Sequence, residues 1–207
     1  MGLRVNTNVA SMNAQRNLFN STARLGGNFA RLASGLRISS ASDAAAGLGI
    51  SARLRADIRS YAVARRNAQD GISLVQTAEG SLNEVSDILG RMRELSMQSA
   101  NGTLSDSDRS TLDGEFQQLV AEIDRIAETT TFIGVVLLDG TNTAISIQAG
   151  FDGGTSDVIA VSGTDATAST LGVNGAISTS SAATTMLSTI DTAIDAVNTA
   201  RGTLGAQ

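Results

Sequence analysis

Apolar residues recur three and four positions apart over stretches longer than an ordinary globular helix. Leu54, Tyr61, Ala68, Val75, Leu82 and Leu89 return at every seventh position, and Ile58, Ile72, Val85 and Met92 fill the steps between them. The spacing recurs at Leu112, Phe116, Leu119, Ile123 and Ile126, and again at Leu187, Ile190, Ile194, Val197 and Leu204. Each set makes one stripe along a helix, and a stripe needs a partner surface. The pattern predicts rods packed on rods, and assembly before catalysis.

Four helices are expected. The first covers about residues 4–36. In it Val5, Val9 and Met12 lead into Leu18, Leu25, Phe29, Leu32 and Leu36, with a phase slip near Arg16 and a break at Gly26-Gly27. Ser34-Gly35 and the run Ser39-Ser40-Ala41-Ser42-Asp43 end it and supply candidate N-caps. A second helix runs from about Ala44 to Ala100 and contains Gly71, Gly80 and Gly90. Each of these either costs about 1 kcal/mol of helix propensity or marks the close approach of another backbone. Asn101-Gly102 ends this helix in the manner of a left-handed cap, and Ser105 with Asp106 and Asp108 starts a third that reaches about Thr129. So short a connection predicts that the second and third helices pack antiparallel.

From Thr130 the period changes. Val135-Val136-Leu137-Leu138, the turn Asp139-Gly140 and the alternating Ile145 and Ile147 read as short strands. After a glycine-rich turn over 150–156, Asp157-Val158-Ile159-Ala160-Val161 completes one or two hairpins. Residues 162–185, rich in Ser, Thr, Gly and Ala, read as loop-like and weakly ordered. A fourth helix begins near Ala182, and its stripe reads as cut off in mid-pattern at Gln207. The expected fold class is mainly α: a long antiparallel helical bundle or coiled coil with a small β-hairpin region.

Composition narrows the chemistry. The 207 residues include no Cys, His, Lys, Pro or Trp. That removes disulfides, thiolate metal sites, imidazole proton transfer, Schiff-base chemistry and the phosphate-cradling lysine. Carboxylates, hydroxyls and Tyr61 remain, so an enzyme is the least favoured class, and no cofactor or metal is expected. Low aromatic content with abundant small residues suits close helix approach, and the lack of Pro suits long helices.

Charge is uneven. Residues 1–66 carry ten Arg against Asp43 and Asp57, whereas residues 67–207 carry five Arg against eighteen acids. Three readings compete: a solvated helix face, docking of the basic part on acidic surfaces of other copies, and an arm for nucleic acid. The Arg residues form no dense patch, so no nucleic acid partner is expected. The N-terminus lacks an apolar signal core and no segment is long enough to span a bilayer, so neither a cleavable signal peptide nor a membrane partner is expected. Asp106 and Asp108 fit helix capping better than a calcium loop. Asp152-Gly153-Gly154 reads as a turn, and Asp191 and Asp195 as a solvated face. The Ser/Thr-rich stretch offers hydroxyls for O-linked sugars.

Four segments add what spacing does not: VNTNVASMNAQRN from Val5, RLASGLRISSASDAAAGLGIS from Arg31, RMRELSMQSANGT from Arg91 and IDTAIDAVNTARGTLGA from Ile190. Together, in this order, they resemble bacterial flagellin. The resemblance implies an extracellular filament subunit for motility, exported through the flagellar type III apparatus, with other flagellin subunits, that apparatus and a secretion chaperone as partners. It implies that residues 1–46 form an inner-tube helix (1–35) and a spoke (36–46), and that 47–207 form a rod-shaped helical core with a β-hairpin region at about 131–180. Val5, Val9, Met12, Leu18, Leu25, Phe29, Leu32 and Leu36 would be the filament-core assembly residues. Two positions depart from the pattern: Ala44 stands where a second acid is usual, and Ile133 where Asn is common. The C-terminal helix expected to pair with residues 1–35 is absent from the 207 residues, so they are not expected to form a standard filament alone, and the first helix is expected to fray in a monomer.

The resemblance also implies recognition by the flagellin-sensing Toll-like receptor, an innate immune receptor, through Arg91, Glu94, Leu95 and Gln98, with Glu115 on the third helix. Arg91 and Leu95 are one turn apart, so an exposed Leu beside an Arg is expected there. The same residues would serve subunit contacts in a filament. A hook–filament junction protein or other flagellar accessory protein is the alternative reading. An intracellular coiled-coil protein and an enzyme follow.

Overall fold

The computed structural model describes residues 8–38, 40 and 44–207. Val5 and the cap candidates Ser39, Ala41, Ser42 and Asp43 lie outside the described residues. The chain divides into two compact units, Met1–Arg59 and Ser60–Gln207.

In the first unit α1 spans Val9–Ser34. The Asn8 side chain accepts a hydrogen bond from the Ser11 N–H at 3.1 Å, and Gly35 at φ 65° closes the helix in the left-handed conformation. The expected break at Gly26-Gly27 does not occur. Without Pro every residue keeps its backbone donor, and two glycines lower helix propensity without interrupting the ladder. No residue of α1 is buried. The second helix, α2, spans Ala45–Ala100; its first fifteen residues belong to this unit and the rest to the second.

The second unit holds the core. Its elements are α2 from Ser60, α3 (Asp106–Thr129), β1 (Thr131–Phe132), β2 (Val135–Val136), β3 (Ala144–Gln148), β4 (Val158–Ser162) and α4 (Ser180–Ala206). The predominantly helical fold class is as expected. Ser105 and Asp108 form a capping box at the start of α3, so the acids there serve the helix end. Ion pairs and one arginine–carbonyl hydrogen bond fix the helix directions. Arg91 meets Glu115 while Arg109 reaches the carbonyl of Ser99, so α3 runs antiparallel to α2. Arg93 meets Asp191 while Glu79 meets Arg201, so α4 does the same.

Leu82, Val85, Leu89 and Met92 from α2, Phe116 and Ile123 from α3, and Ile190 from α4 are fully buried. The predicted stripes of α3 and α4 thus close on α2. The α2 stripe closes only in part: Leu54, Ile58, Tyr61 and Ile72 are exposed, and continuous burial begins near Leu74. Spacing creates the stripe, but burial requires α3 or α4 alongside.

Two antiparallel hairpins follow α3: β1 with β2, and β3 with β4, the latter pairing Ile145 with Val161 and Ile147 with Ile159. Leu137 and Leu138, read as strand, lie beyond β2 and are buried. Of the three helix glycines only Gly71 has a neighbour in the space a Cβ would take, the movable end of the Ile147 side chain. A Cβ there would stand 2.4 Å from Ile147 Cδ1, whereas nothing lies within 4 Å at Gly80 or Gly90. Gln148 accepts from the Asn67 side chain nearby, tying β3 to α2.

The segment after β4 corrects an expectation. Read as weakly ordered, residues 163–179 instead contribute Ala166, Ala168, Leu171, Val173 and Ile177 to the core. They have no regular ladder: local turns and the bond from the Ala166 N–H to the Leu138 carbonyl pair part of their backbone, and side chains of α3 pair more of it. On α3, Asp113 accepts the Ile177 N–H, Gln117 donates to the Gly175 carbonyl and Asp124 accepts the Ala168 N–H. Burial pushes the Asp165 carboxyl up, yet the hydroxyls of Thr170 and Thr167 and the Thr167 N–H hold it below the ordinary carboxylate range.

Candidate functional site

Two surfaces carry the candidate residues, one in each unit. In the first unit, Val9, Met12, Leu18, Leu25, Phe29, Leu32 and Leu36 are all exposed, as is Phe19, which the spacing argument missed. They do not share one face. At 100° per residue Leu18, Leu25, Phe29 and Leu32 fall within about 60° of one another, whereas Val9 stands about 160° from Leu25. The phase slip near Arg16 therefore persists inside a continuous helix and divides the set. Leu18 to Leu32 is the coherent row.

In the second unit Arg91 is the hub of an exposed network. Its Nε and Nη2 donate to Glu115 Oε1 at 3.1 and 2.6 Å, and its Nη1 donates to Glu94 Oε2 at 2.9 Å. These two carboxylates raise the Arg91 pKa, the Glu115 hydrogen bond most. The pairing of Arg91 with Glu115 across the helices is what the sequence resemblance brought together. Leu95 corrects the expectation of an exposed contact: it is 1% exposed and belongs to the core. The physical reason is angular. Leu95 sits about 40° from Arg91 on the side of the Leu89–Met92 row, under α3. Glu94 and Gln98 point the other way and line a shallow groove with Gly90, Arg93, Met97 and Asn101.

Other polar groups have structural duties. Asp191 is more than a solvated face: Arg93 Nε donates to its Oδ1 at 2.6 Å and holds its carboxyl below the usual range. Arg109 is buried and donates to the carbonyls of Ser99 and Leu104, fastening the α2–α3 turn. Between α2, the β3–β4 hairpin and the end of α4 lies a cleft lined by Ile72, Val75, Ile147, Ile159, Val161 and Leu204. It is apolar and brings no two catalytic groups together. Among the described residues no group of three His, Cys, Asp or Glu side chains could hold a metal ion. No helix among them is long and apolar enough to cross a membrane.

The first unit thus presents a helix with an uncovered apolar row, and the second an Arg–Glu network linking α2 to α3. Residues 5–143 match the bacterial flagellin N-terminal helical region. The chain belongs to the bacterial flagellin family. It is 52% identical over 154 residues to polar flagellin B/D of Vibrio parahaemolyticus, covering 74% of this chain and 41% of that protein. With B-type flagellin of Pseudomonas aeruginosa it shares 53% identity over 150 residues, covering 72% of this chain and 31% of that one. The chain therefore spans less than half the length of these flagellins. Bacillus cereus flagellin, in its crystal structure, aligns with a TM-score of 0.61 and 38% identity, over 69% of this chain and 82% of that one.

The flagellin reading from the four motifs agrees with this membership. What the motifs did not reveal is the polar row Asp113, Gln117 and Asp124 and the buried Arg109. A signal existed: the three α3 residues are four and seven apart and so share a helix face, with apolar positions beside them.

Proposed function

We propose that the chain is a structural subunit that self-assembles into the extracellular bacterial flagellar filament for motility. The observation that carries the reading is α1: a helix of the flagellin N-terminal region with no buried residue and a row of large apolar side chains in water. Exposed apolar surface of this extent favours an interaction partner. In this reading residues 1–46 form the inner-tube helix and spoke, residues 47–207 form the outer helical core with its hairpins at about 131–180, and the apolar row of α1 is covered by other subunits. Delivery is by the flagellar export apparatus, with a secretion chaperone. The test is to produce the chain in a motile bacterium and shear off the surface filaments. The chain is expected in the sheared fraction, and L25D/F29D is expected to remove it. Retention of the chain inside cells overturns the reading, and presence only at the filament base favours a hook–filament junction role instead.

A second surface supports recognition by the flagellin-sensing Toll-like receptor. Arg91, Glu94, Gln98 and Glu115 form one exposed patch, while Leu95 shapes it from beneath. Arg91→Ala is expected to lower receptor signalling at least about tenfold, the scale of a hot-spot truncation. Unchanged signalling by the folded variant removes this role.

A further inference from the structure

The pair Asn-Gly occurs twice in the chain, at Asn101-Gly102 and at Asn174-Gly175, and both asparagines are exposed. In such a pair the backbone nitrogen of the glycine can attack the asparagine side-chain amide, because no Cβ shields that nitrogen. The fold treats the two sites differently. Between α2 and α3, Asn101 Oδ1 accepts the Thr103 N–H at 3.2 Å. A bond to the residue two places on folds the side-chain amide over the intervening Gly102 nitrogen. The same N–H faces the oxygen on which charge develops when that nitrogen attacks. Nothing lies within 4 Å of where a Gly102 Cβ would stand, so the turn has room to close a ring.

Anchors on both sides hold Asn174-Gly175 instead. Val173 and Ile177 are fully buried. The Val173 N–H donates to the Ala168 carbonyl at 2.9 Å, Gln117 Nε2 to the Gly175 carbonyl at 2.9 Å, and the Ile177 N–H to Asp113 Oδ1 at 2.6 Å. Ring closure turns the backbone at this point, which requires some of these anchors to open first.

We propose that Asn101 is a site of spontaneous deamidation assisted by the fold, and that Asn174 is spared. Solvent base takes the Gly102 N–H proton and the nitrogen bonds to Asn101 Cγ, while the Thr103 N–H steadies the Oδ1 charge. The Cγ–Nδ2 bond then breaks, and Nδ2 takes up a proton and leaves as ammonia. Water opens the cyclic imide at either carbonyl, giving aspartate or isoaspartate. One water enters, one ammonia leaves, and no other reactant is consumed. Asn101 lines the groove with Arg93, Glu94, Met97 and Gln98, so that surface gains a carboxylate as the chain ages. The proposal rests on neither the filament nor the receptor reading.

Timed incubation of the 207-residue chain in neutral buffer tests it, read by peptide mass mapping and by methyl labelling with an isoaspartyl methyltransferase and S-adenosylmethionine. In the native chain Asn101 is expected to convert at least about tenfold faster than Asn174, the rate cost of opening one or two anchoring hydrogen bonds. In guanidinium chloride the two rates are expected to converge, because Asn174 accelerates and Asn101 does not. N101Q is expected to lose the methyl label, and an unchanged thermal transition shows that the variant folds. Native Asn174 converting as fast as Asn101 overturns the proposal, as does Asn101 converting faster unfolded than folded. A label retained by N101Q also overturns it, since the reacting site then lies elsewhere.

Discussion

Two helices of similar length, α1 with 26 residues and α3 with 24, meet opposite ends. In α3 the apolar stripe is covered, and Phe116 and Ile123 are fully buried between α2 and the irregular segment before α4. In α1 the row from Leu18 to Leu32 is as regular, yet every residue of the helix is exposed. Amphipathic spacing records that a helix needs a partner; it does not record whether the partner lies in the same fold. Helix α2 makes the point within one element: the same heptad stripe is exposed at Leu54 and Ile58 and fully buried at Leu82 and Leu89.

The contrast can be broken most forcefully by truncating an aromatic in each helix. Phe116→Ala is expected to destabilise the second unit by about 3–5 kcal/mol, and Phe29→Ala to change urea stability by less than about 0.5 kcal/mol. Amide exchange should agree, fast along α1 and slow from Leu82 to Ser96, because opening α1 uncovers no core. Strong protection of α1 in a proven monomer would show that its row is covered after all.

The glycines of the two units differ in the same way. At Gly163 a Cβ would stand 1.6 Å from the Asn142 carbonyl oxygen, so Gly163→Ala is expected to lower stability by about 1–3 kcal/mol. At Gly26 and Gly27 nothing lies within 4 Å, so alanine at both should raise the helicity of α1 without moving the main unfolding transition.

Smaller still is the effect at Ile133, which sits at φ 48° and is 83% exposed at the tip of the first hairpin. A β-branched residue is strained there, so Ile133→Asn is expected to raise the thermal midpoint by the equivalent of about 1 kcal/mol. A lower midpoint would mean that the side chain makes a contact worth more than the strain.

Acid gives the smallest separation. Hydrogen bonds from Arg93 to Asp191, from Ser105 to Asp108 and from Arg125 to Glu122 hold these carboxyls below their ordinary pKa. Lowered values in the fold mean that the pairs stabilise it above the ordinary carboxylate range. That contribution disappears as pH falls from about 4 toward the folded-state values. Thermal melts should therefore show a modest loss on acidification that Arg93→Gln partly removes, while α1, which has no acid, keeps its helicity.

Much of the fold was legible because local chemistry decides it. The Ser105–Asp108 box starts α3 through local side chain-to-backbone hydrogen bonds, so its position needed no tertiary information. Helix α2 ends at Asn101-Gly102 as expected, but without the left-handed residue, since the Asn101 side chain accepts the Thr103 N–H instead. The Arg91–Glu115 pair was legible only through the family motif, since the partners are 24 residues apart. Leu95 was misread because one helical turn from Arg91 says which side of α2 it shares, but not that α3 covers that side. The segment 163–179 was misread because its order comes from Asp113, Gln117 and Asp124, whose contacts lie 44 to 64 residues away.

The helices, the capping box of α3 and the apolar stripes follow from neighbours within a turn or two, and composition alone excludes imidazole, thiol and lysine chemistry. Which stretches of those stripes are core and which meet water is settled by long-range packing. Burial depends on what arrives from elsewhere in the chain: α3, α4 and the irregular segment cover α2 beyond Leu74, and nothing among the described residues covers the row on α1.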